Sequence, residues 1–339
     1  RPPITDPNLA IQIEQARANA GVLTTLLLLF YVFVVLLLVL MALMLAIPQF
    51  RRQQPGLRSM NWWLYPVLIA AAVLGIWFKN FNVVSADMLL KQAEQYRNQA
   101  AYDIAIALHQ DAVALDSDED FYYLMLALAY QLKAQDSRYP AEVRDQAWRQ
   151  GLEIAREARR INPFNPDNTG NMGRYYLTWA QFTPSDQATQ QAERYQLALS
   201  YFEKATQLAP QNTIYYNLWA QTYSLMGEHQ QAIEKLQQSA TLDPLFDQTQ
   251  MLLGDVYGVL GQAEAAIQAH RTAILLNPAA FADGALNQRI SFYREQGRIK
   301  GDLSSYLQQL IAAYQEAASK FPKDALVPRI LGYLYSQTG

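Results

Sequence analysis

Two long apolar stretches stand near the start of the chain. Residues Val22–Ile47 run for 26 positions without a charged side chain, which as a helix spans roughly 39 Å. This length exceeds the ~30 Å hydrocarbon core of a bilayer and predicts a transmembrane helix. A second stretch, Trp62–Phe78, is shorter and carries aromatic residues at both ends, as in interfacial aromatic belts. A cleaved signal peptide is disfavoured, because a polar segment of about twenty residues precedes the first stretch.

The connection between the two stretches predicts their orientation. Residues 48–61 contain three arginines and no acid, and positive charge in short loops marks the cytoplasmic side: Arg51, Arg52 and Arg58. We therefore expect residues 21–79 to form a transmembrane hairpin with its loop in the cytoplasm. The predicted location is the bacterial cell membrane, multi-pass, with residues 1–20 and everything after Lys79 on the extracytoplasmic side.

Residues Asp6–Ala20 allow two interpretations. Leu9, Ile13 and Ala16 share one side of a possible amphipathic helix, with Asp6 as its cap, which would lie on the outer face of the membrane. The alternative is a helical extension of the first span. The pattern does not separate the two.

The apolar pattern of the remaining chain repeats with a fixed period. Residues 198–210, 232–244 and 266–278 align without a gap, and both their first alanines and their last prolines are 34 residues apart. A period of 34 with helix–turn–helix spacing predicts tetratricopeptide repeats.

Each recurring residue has a packing reason. A small residue lets paired helices approach, a tyrosine three positions later fills the space beside it, and a glycine permits the left-handed turn that ends the first helix. In two successive repeats these are Ala220, Tyr223 and Gly227, then Gly254, Tyr257 and Gly261. The predicted fold is all-α: a two-helix transmembrane hairpin, then a tetratricopeptide-repeat α-solenoid of about six and a half repeats over residues 86–339.

The chain begins at Arg1 and ends on a half repeat. A capping helix and a chain cut from a longer array both explain the ending, and we expect a portion of a longer protein.

Composition removes several classes of function. Lys and Arg number 27 against 30 Asp and Glu, which gives no electrostatic footprint for nucleic acid. The absence of cysteine excludes disulfides, thiol nucleophiles and thiolate metal sites, and three histidines leave little for a metal centre. We predict no catalytic, cofactor-binding or metal-binding residue in the chain.

The remaining polar and aromatic candidates have structural explanations. The acidic run Asp116–Asp120 is better explained by the positive end of a helix dipole than by calcium, because it contains no turn glycine. His109 and His270 are expected to pack between helices, each without an acid to orient it. Three large aromatic residues are expected in the core: Trp179, Trp219 and Tyr216.

The surface expected to carry function is the concave one lined by the first helix of each repeat, where stacked repeats form an extended groove. Its apolar content favours a helix or an extended protein segment as the guest. The expected lining residues are Phe121, Leu124, Leu128, Ile214, Asn217, Gln221, Met251 and Asp255. Two repeats contain inserted residues, about 12 around residues 136–145 and about 13 around residues 182–191. The groove would alternatively be filled by these insertions or by the membrane helices.

The junction between membrane and repeat segments has a more particular resemblance. Three segments resemble the C-terminal region of bacterial O-antigen ligase/polymerase-type membrane proteins: NFNVVSADMLLKQAEQYRNQAAYDIAI, DEDFYYLMLALAY and RRINPFNPDNTGNMGRYYLTWA. The resemblance covers roughly residues 20–290 and implies that Val22–Phe78 are the last two spans of a glycan-transferring membrane domain. The catalytic residues of that family lie in upstream loops, and no position here matches them.

Two hypotheses follow. The first is a membrane-anchored extracytoplasmic scaffold whose repeats bind protein partners in a membrane or cell-envelope assembly, with membrane lipid around its spans. The second is the non-catalytic C-terminal part of a glycan ligase or polymerase, with a glycan acceptor or lipid-linked glycan as a further partner. Whether the full-length protein is an enzyme depends on further spans upstream of Arg1.

Overall fold

The computed structural model describes residues 6–50, 64–281, 286–291 and 303–338. The secondary structure within these ranges is helical, apart from turns. The helices are α1 (Pro7–Phe50), α2 (Leu64–Asn98), α3 (Tyr102–Leu115), α4 (Asp120–Gln135), α5 (Ala141–Ile161), α6 (Pro166–Gln181), α7 (Ala188–Leu208), α8 (Thr213–Leu225), α9 (His229–Leu242), α10 (Asp247–Val259), α11 (Ala263–Leu276), α12 (described over 286–291), α13 (Leu303–Lys320) and α14 (Leu326–Thr338).

The chain divides into two compact units. Unit 1 is Arg1–Asn162 and contains α1 to α5, and unit 2 is Pro163–Gly339 and contains α6 to α14. In each unit, consecutive helices that are joined by short turns pack against each other as pairs. The pairs are α2 with α3 and α4 with α5 in unit 1, and α6 with α7, α8 with α9 and α10 with α11 in unit 2. The count of six and a half repeats stays a prediction, because residues 292–302 lie outside the described residues.

The helix α1 is one continuous helix of 44 residues. Its first four turns pack on α2 and α3, where Ile13, Ala16 and Ala20 are buried in one cluster with Ala86 and Leu108. Arg17 fixes this contact by donating from Nε to Asp111 Oδ2 at 2.6 Å. Of the two interpretations of residues 6–20, the helical extension is therefore correct, and their apolar side faces the first repeat.

The helix α2 joins the second apolar stretch to the first repeat without a break. Its backbone is helical from Leu64 to Asn98, so the predicted span and the first repeat helix are one element. Residues 51–61 of the predicted cytoplasmic loop lie outside the described residues, as do Trp62 and Trp63 of the predicted span.

Within the described part of the chain, one helix is long and apolar enough to cross a membrane. Residues Pro7–Leu37 of α1 contain a window of mean hydropathy 2.6, of which only 11% is buried. Its large apolar side chains point outward, with Val22, Leu29 and Phe33 each 58–62% exposed. A core helix would bury such residues, so α1 exposes an apolar surface that the described residues do not cover.

In unit 2 the helices recur with the 34-residue period of the sequence. The helices α8 and α10 begin 34 residues apart, at Thr213 and Asp247, and α9 and α11 do the same, at His229 and Ala263. The second helices α5 and α7 are longer, with 21 residues against 14 in α9 and α11. The sequence insertions before these helices therefore add seven residues, about two helical turns, to each of them.

The turn after the first helix uses the left-handed backbone region. Gly227 has φ of +82° and Gly261 has φ of +71°, as their spacing of 34 predicts. The corresponding turn between α2 and α3 is made by Ala100, with φ of +56°. A side chain at such a position is strained, whereas glycine is not.

The small residue of each first helix faces a large residue of the paired helix. A Cβ on Gly173 would lie 2.6 Å from the ring of Phe202, and a Cβ on Gly254 would overlap His270. In the repeat between them, Ala220 packs in one cluster with Leu236. Glycine thus occurs at two of these positions, in each case where the opposing side chain is a ring.

Candidate protein-binding surface

The predicted binding residues of unit 1 lie on the helix α4. Phe121 is 45% exposed, and Leu124 and Leu128, three and seven residues later, are half-buried. This spacing puts all three side chains along one side of the helix. They form an apolar strip on the first helix of a repeat.

The predicted binding residues of unit 2 are divided between surface and interior. Ile214 is 40% exposed, and Gln221 and Met251 are half-buried. Asn217 is 2% exposed, and its side-chain amide donates to Thr249 Oγ1 at 3.0 Å. Asn217 therefore joins α8 to α10 and does not line an open surface.

Hydrogen bonds between successive first helices fix the spacing of this surface. In unit 1, Tyr122 of α4 donates to Asp87 Oδ1 of α2 at 2.7 Å. In unit 2, Tyr215 of α8 donates to Asp167 of α6 in the same way. Both tyrosines are buried at the ring, and burial followed by the bond to the carboxylate raises the pKa of each phenol. The phenols stay protonated and remain donors.

The remaining predicted residue, Asp255, belongs to a cluster of charged and polar side chains. Arg289 of α12 donates to both its carboxylate oxygens, from Nε at 2.7 Å and from Nη2 at 2.6 Å. His270 of α11 contacts the same carboxylate through Nε2 at 3.2 Å, and its Nδ1 lies 3.0 Å from the hydroxyl of Tyr306. The expectation that His270 lacks an orienting acid is therefore wrong.

The electrostatics of this cluster follow from burial and pairing. Burial lowers the pKa of His270 and outweighs the opposing effect of Asp255. Burial works to raise the pKa of Asp255, but the hydrogen bonds from His270 and Arg289 together hold it below its usual value. The cluster is a neutral imidazole beside a carboxylate–guanidinium pair, so its donors are already used within the protein. It ties α10 and α11 to α12 and α13.

The two tryptophans expected in the core are half-buried instead, as is Tyr216. The guanidinium of Arg194 lies 4.1 Å from the ring centre of Trp179, and the Nζ of Lys235 lies 3.9 Å from that of Trp219. Each cation lies over one face of its indole ring. The long side chains of the second helices thus complete the packing of the first helices.

His109 and the acidic run have structural roles. His109 is fully buried with neither ring nitrogen hydrogen-bonded, and burial, aided by the charge of Arg97, lowers its pKa to about 4. Glu119 caps α4 by accepting from the backbone N–H of Phe121, which supports the helix-terminus explanation of the acids. Within the described ranges no group of three or more potential ligands is placed to hold a metal ion.

A tetratricopeptide-repeat model matches residues 187–212, which include all of α7 and the turn after it. Together with the 34-residue helix pairs, this match makes the fold an all-α solenoid of the tetratricopeptide type. Repeats of this type form surfaces for protein–protein interaction.

Similar proteins carry the same repeats. Small glutamine-rich tetratricopeptide repeat-containing protein 2 of Mycosarcoma maydis is 28% identical over 87 residues, which make up 26% of this chain and 25% of that protein. The chain thus matches about a quarter of the length of this relative.

Solved structures with related helix arrangements include three repeat proteins. A thermophilic TPR protein of Thermus thermophilus is 18% identical with a TM-score of 0.47, over 62% of this chain and 97% of its own. MamA from Desulfovibrio magneticus is 15% identical with a TM-score of 0.41, over 57% and 96%. YrrB, a TPR protein with an unusual peptide-binding site, is 18% identical with a TM-score of 0.38, over 60% and 91%.

Sequence reasoning missed the links between neighbouring first helices. Tyr122 and Asp87 are 35 residues apart, which is one period plus one residue. A polar pair at this separation could have indicated a hydrogen bond between neighbouring first helices. The hydrogen bond from Asn217 to Thr249 spans 32 residues. The sequence gives no comparable signal for it, because neither asparagine nor threonine recurs at the equivalent positions one period away.

Proposed function

We propose that this protein is a membrane-anchored tetratricopeptide-repeat scaffold that binds protein partners outside the cytoplasm. The observation that carries the proposal is the helix α1, which packs into the first repeat at one end and exposes apolar side chains along most of its remaining length. A soluble protein with such a surface would associate or precipitate, whereas a bilayer would cover it.

The direction of insertion is argued from charge. Between Arg17 and Arg51 the chain has no charged residue, and the next basic residues, Arg52 and Arg58, follow within the same short connection. Positive charge in short connections is retained in the cytoplasm. The repeats, which adjoin the opposite ends of α1 and α2, would then face the periplasm or the cell exterior of a bacterium.

The partner is a protein segment with apolar side chains. The strip Phe121, Leu124 and Leu128 on α4 supplies apolar contacts, and the side chain of Asp87 beside it is held by Tyr122. A helical or extended segment presents apolar residues at a spacing that matches such a strip. Ile214 and Met251 offer similar contacts on the first helices of unit 2.

Two exposed phenylalanines allow a matched test of partner binding. Phe121 lies on the proposed binding strip with 45% exposure, while Phe164 lies in the turn before α6 with 82% exposure. A photo-crosslinking phenylalanine analogue placed at each position in cells should capture a discrete partner from position 121 and little from the more exposed position 164. Equal capture at both positions, or capture at 164 alone, would contradict binding by the first helices.

The second candidate function is the non-catalytic C-terminal part of an O-antigen ligase/polymerase-type glycan transferase. The feature that favours it is that α2 continues directly from the second apolar stretch into the first repeat. The sequence of this junction resembles that family. A glycan acceptor or a lipid-linked glycan would then be a further partner. The test is the encoding gene: eight or more hydrophobic spans upstream of Arg1 would support this function, and a start codon or signal sequence directly upstream would eliminate it.

A further inference from the structure

A cleft of about 580 Å³ opens in unit 1 where α1, α2 and α3 meet. Its volume is in the range of small-molecule binding sites. The helix α1 contributes Gly21 and Thr24, α2 contributes Phe81 and Leu89, and α3 contributes Leu115. The inner part of the cleft is well packed, since Thr24 is 6% exposed and Leu89 is 9% exposed.

Four polar side chains that line the cleft, those of Arg17, Thr24, Thr25 and Asp111, are bonded to protein atoms. Thr24 donates to the carbonyl of Ala20 at 2.9 Å, and Thr25 donates to that of Gly21 at 2.8 Å. Arg17 is paired with Asp111 through both Nε and Nη2, at 2.6 and 3.3 Å. A charged ligand would gain little here, because the nearest cation is already neutralised by a carboxylate.

The cleft is continuous with the apolar surface of α1. Gly21 is one of its lining residues, and the exposed band begins at the next position with Val22, which is 58% exposed, followed by Leu26 at 58%. Arg17 is the last charged residue of α1 before that band, and Lys79 precedes Phe81 on α2. Both helices therefore bring the cleft to the boundary between charged and uncharged sequence.

We infer that this cleft binds an acyl chain of a membrane lipid, which enters from the bilayer side along α1. The inference rests on the proposed membrane anchoring, because that anchoring brings the open side of the cleft against lipid. An acyl chain suits this lining, because it is largely apolar and its charged and threonine side chains are already bonded within the protein. The bound lipid would fill the space between α1 and the first repeat.

Gly21 provides a variant that blocks the cleft without disturbing the fold. A Cβ at this position would have no atom within 4 Å, so a larger side chain enters open space. Gly21→Leu fills that space, whereas Gly21→Ala adds a single methyl group. Both replacements raise helix propensity by a similar amount, so the alanine variant controls for that effect.

The test uses the full chain purified from membranes in a mild detergent, with bound lipid counted by native mass spectrometry and by extraction. Wild type and G21A should each retain about one phospholipid per chain, and G21L should retain at least tenfold less. Unchanged hydrogen exchange of α3 in G21L would show that the repeat is still folded. Equal lipid retention in G21L, or a second protein chain in place of lipid, would overturn the inference.

Failure of the anchoring itself gives a different result. Alkaline carbonate extraction of the membranes precedes purification, and a chain released into the soluble fraction would refute the membrane anchor and the lipid site together. A chain that stays in the membrane fraction but carries no lipid after purification would refute the lipid site alone.

Discussion

Ala100 stands at a turn position that two later repeats fill with glycine. It has φ of +56°, and the N–H of the next residue, Ala101, donates to the carbonyl of Tyr96 at 2.9 Å. The turn at Gly227 has the same bond, from Glu228 to Tyr223, also at 2.9 Å. Because the hydrogen bonding is equal, the two turns differ mainly in the side chain at the left-handed position.

This difference gives a magnitude for the change Ala100→Gly. A residue with a Cβ costs roughly 1–2 kcal/mol in the left-handed region, which glycine does not incur. Glycine lowers stability by about 0.4–1 kcal/mol through the greater freedom of the unfolded chain. The net expectation is that A100G stabilises the turn by about 0.5–1 kcal/mol, and that Gly227→Ala destabilises its own turn by a similar amount.

Local hydrogen exchange is the suitable assay, because it reports the opening of one turn in the intact chain. Amides of residues 96–105 should exchange about two- to fivefold more slowly in A100G, as expected for 0.5–1 kcal/mol. Those of residues 223–232 should exchange correspondingly faster in G227A. If A100G exchanged faster than wild type while G227A behaved as expected, the reasoning about strain at Ala100 would be refuted.

Three further predictions concern the interior. Gly254→Ala should lower the stability of unit 2 by about 1–2 kcal/mol in urea unfolding, because the new Cβ overlaps His270. The control Gly332→Ala places its Cβ in open space and should be neutral or stabilising. Equal effects of the two substitutions would contradict the packing account. His109 has a pKa of about 4 in the folded protein, below its unfolded value near 6.5. The free energy of unfolding of unit 1 should therefore fall by up to about 3 kcal/mol as the pH falls from 6.5 to 4. His109→Leu should abolish this pH dependence in unfolding measured across that range. Tyr215→Phe should cost about 1–2 kcal/mol by removing the bond to the carboxylate of α6, and a melting temperature equal to that of wild type would show that this link is not stabilising.

The repeat architecture was predictable because packing requires particular residues at a fixed period. The small residue Gly254, the turn glycines Gly227 and Gly261, and the helix-ending prolines are each needed for a geometric reason, so their spacing of 34 carries over into helix boundaries. The helical state of residues 22–47 was predictable as well, since an uninterrupted apolar run of that length favours a long helix.

Contacts between repeats were not predictable in the same way. Asp255 and Arg289 are one period of 34 residues apart, but the period alone does not specify that they carry opposite charges, and the contact of Asp255 with His270 depends on how α10 and α11 meet. The half-buried state of Trp179 and Trp219 depends on cations that reach across from the neighbouring helix. Side chains of this length contact residues that a local pattern does not specify.

The most direct test of the proposed anchoring uses the absence of cysteine from the chain. Single cysteines at Ser59, in the arginine-containing connection, and at Ser117, in the exposed turn before α4, can be probed on intact cells with a membrane-impermeant maleimide. The account predicts labelling of S117C in intact cells and labelling of S59C only after permeabilisation. Protection of S117C in intact cells together with labelling of S59C, or recovery of the chain in the soluble fraction, would contradict it.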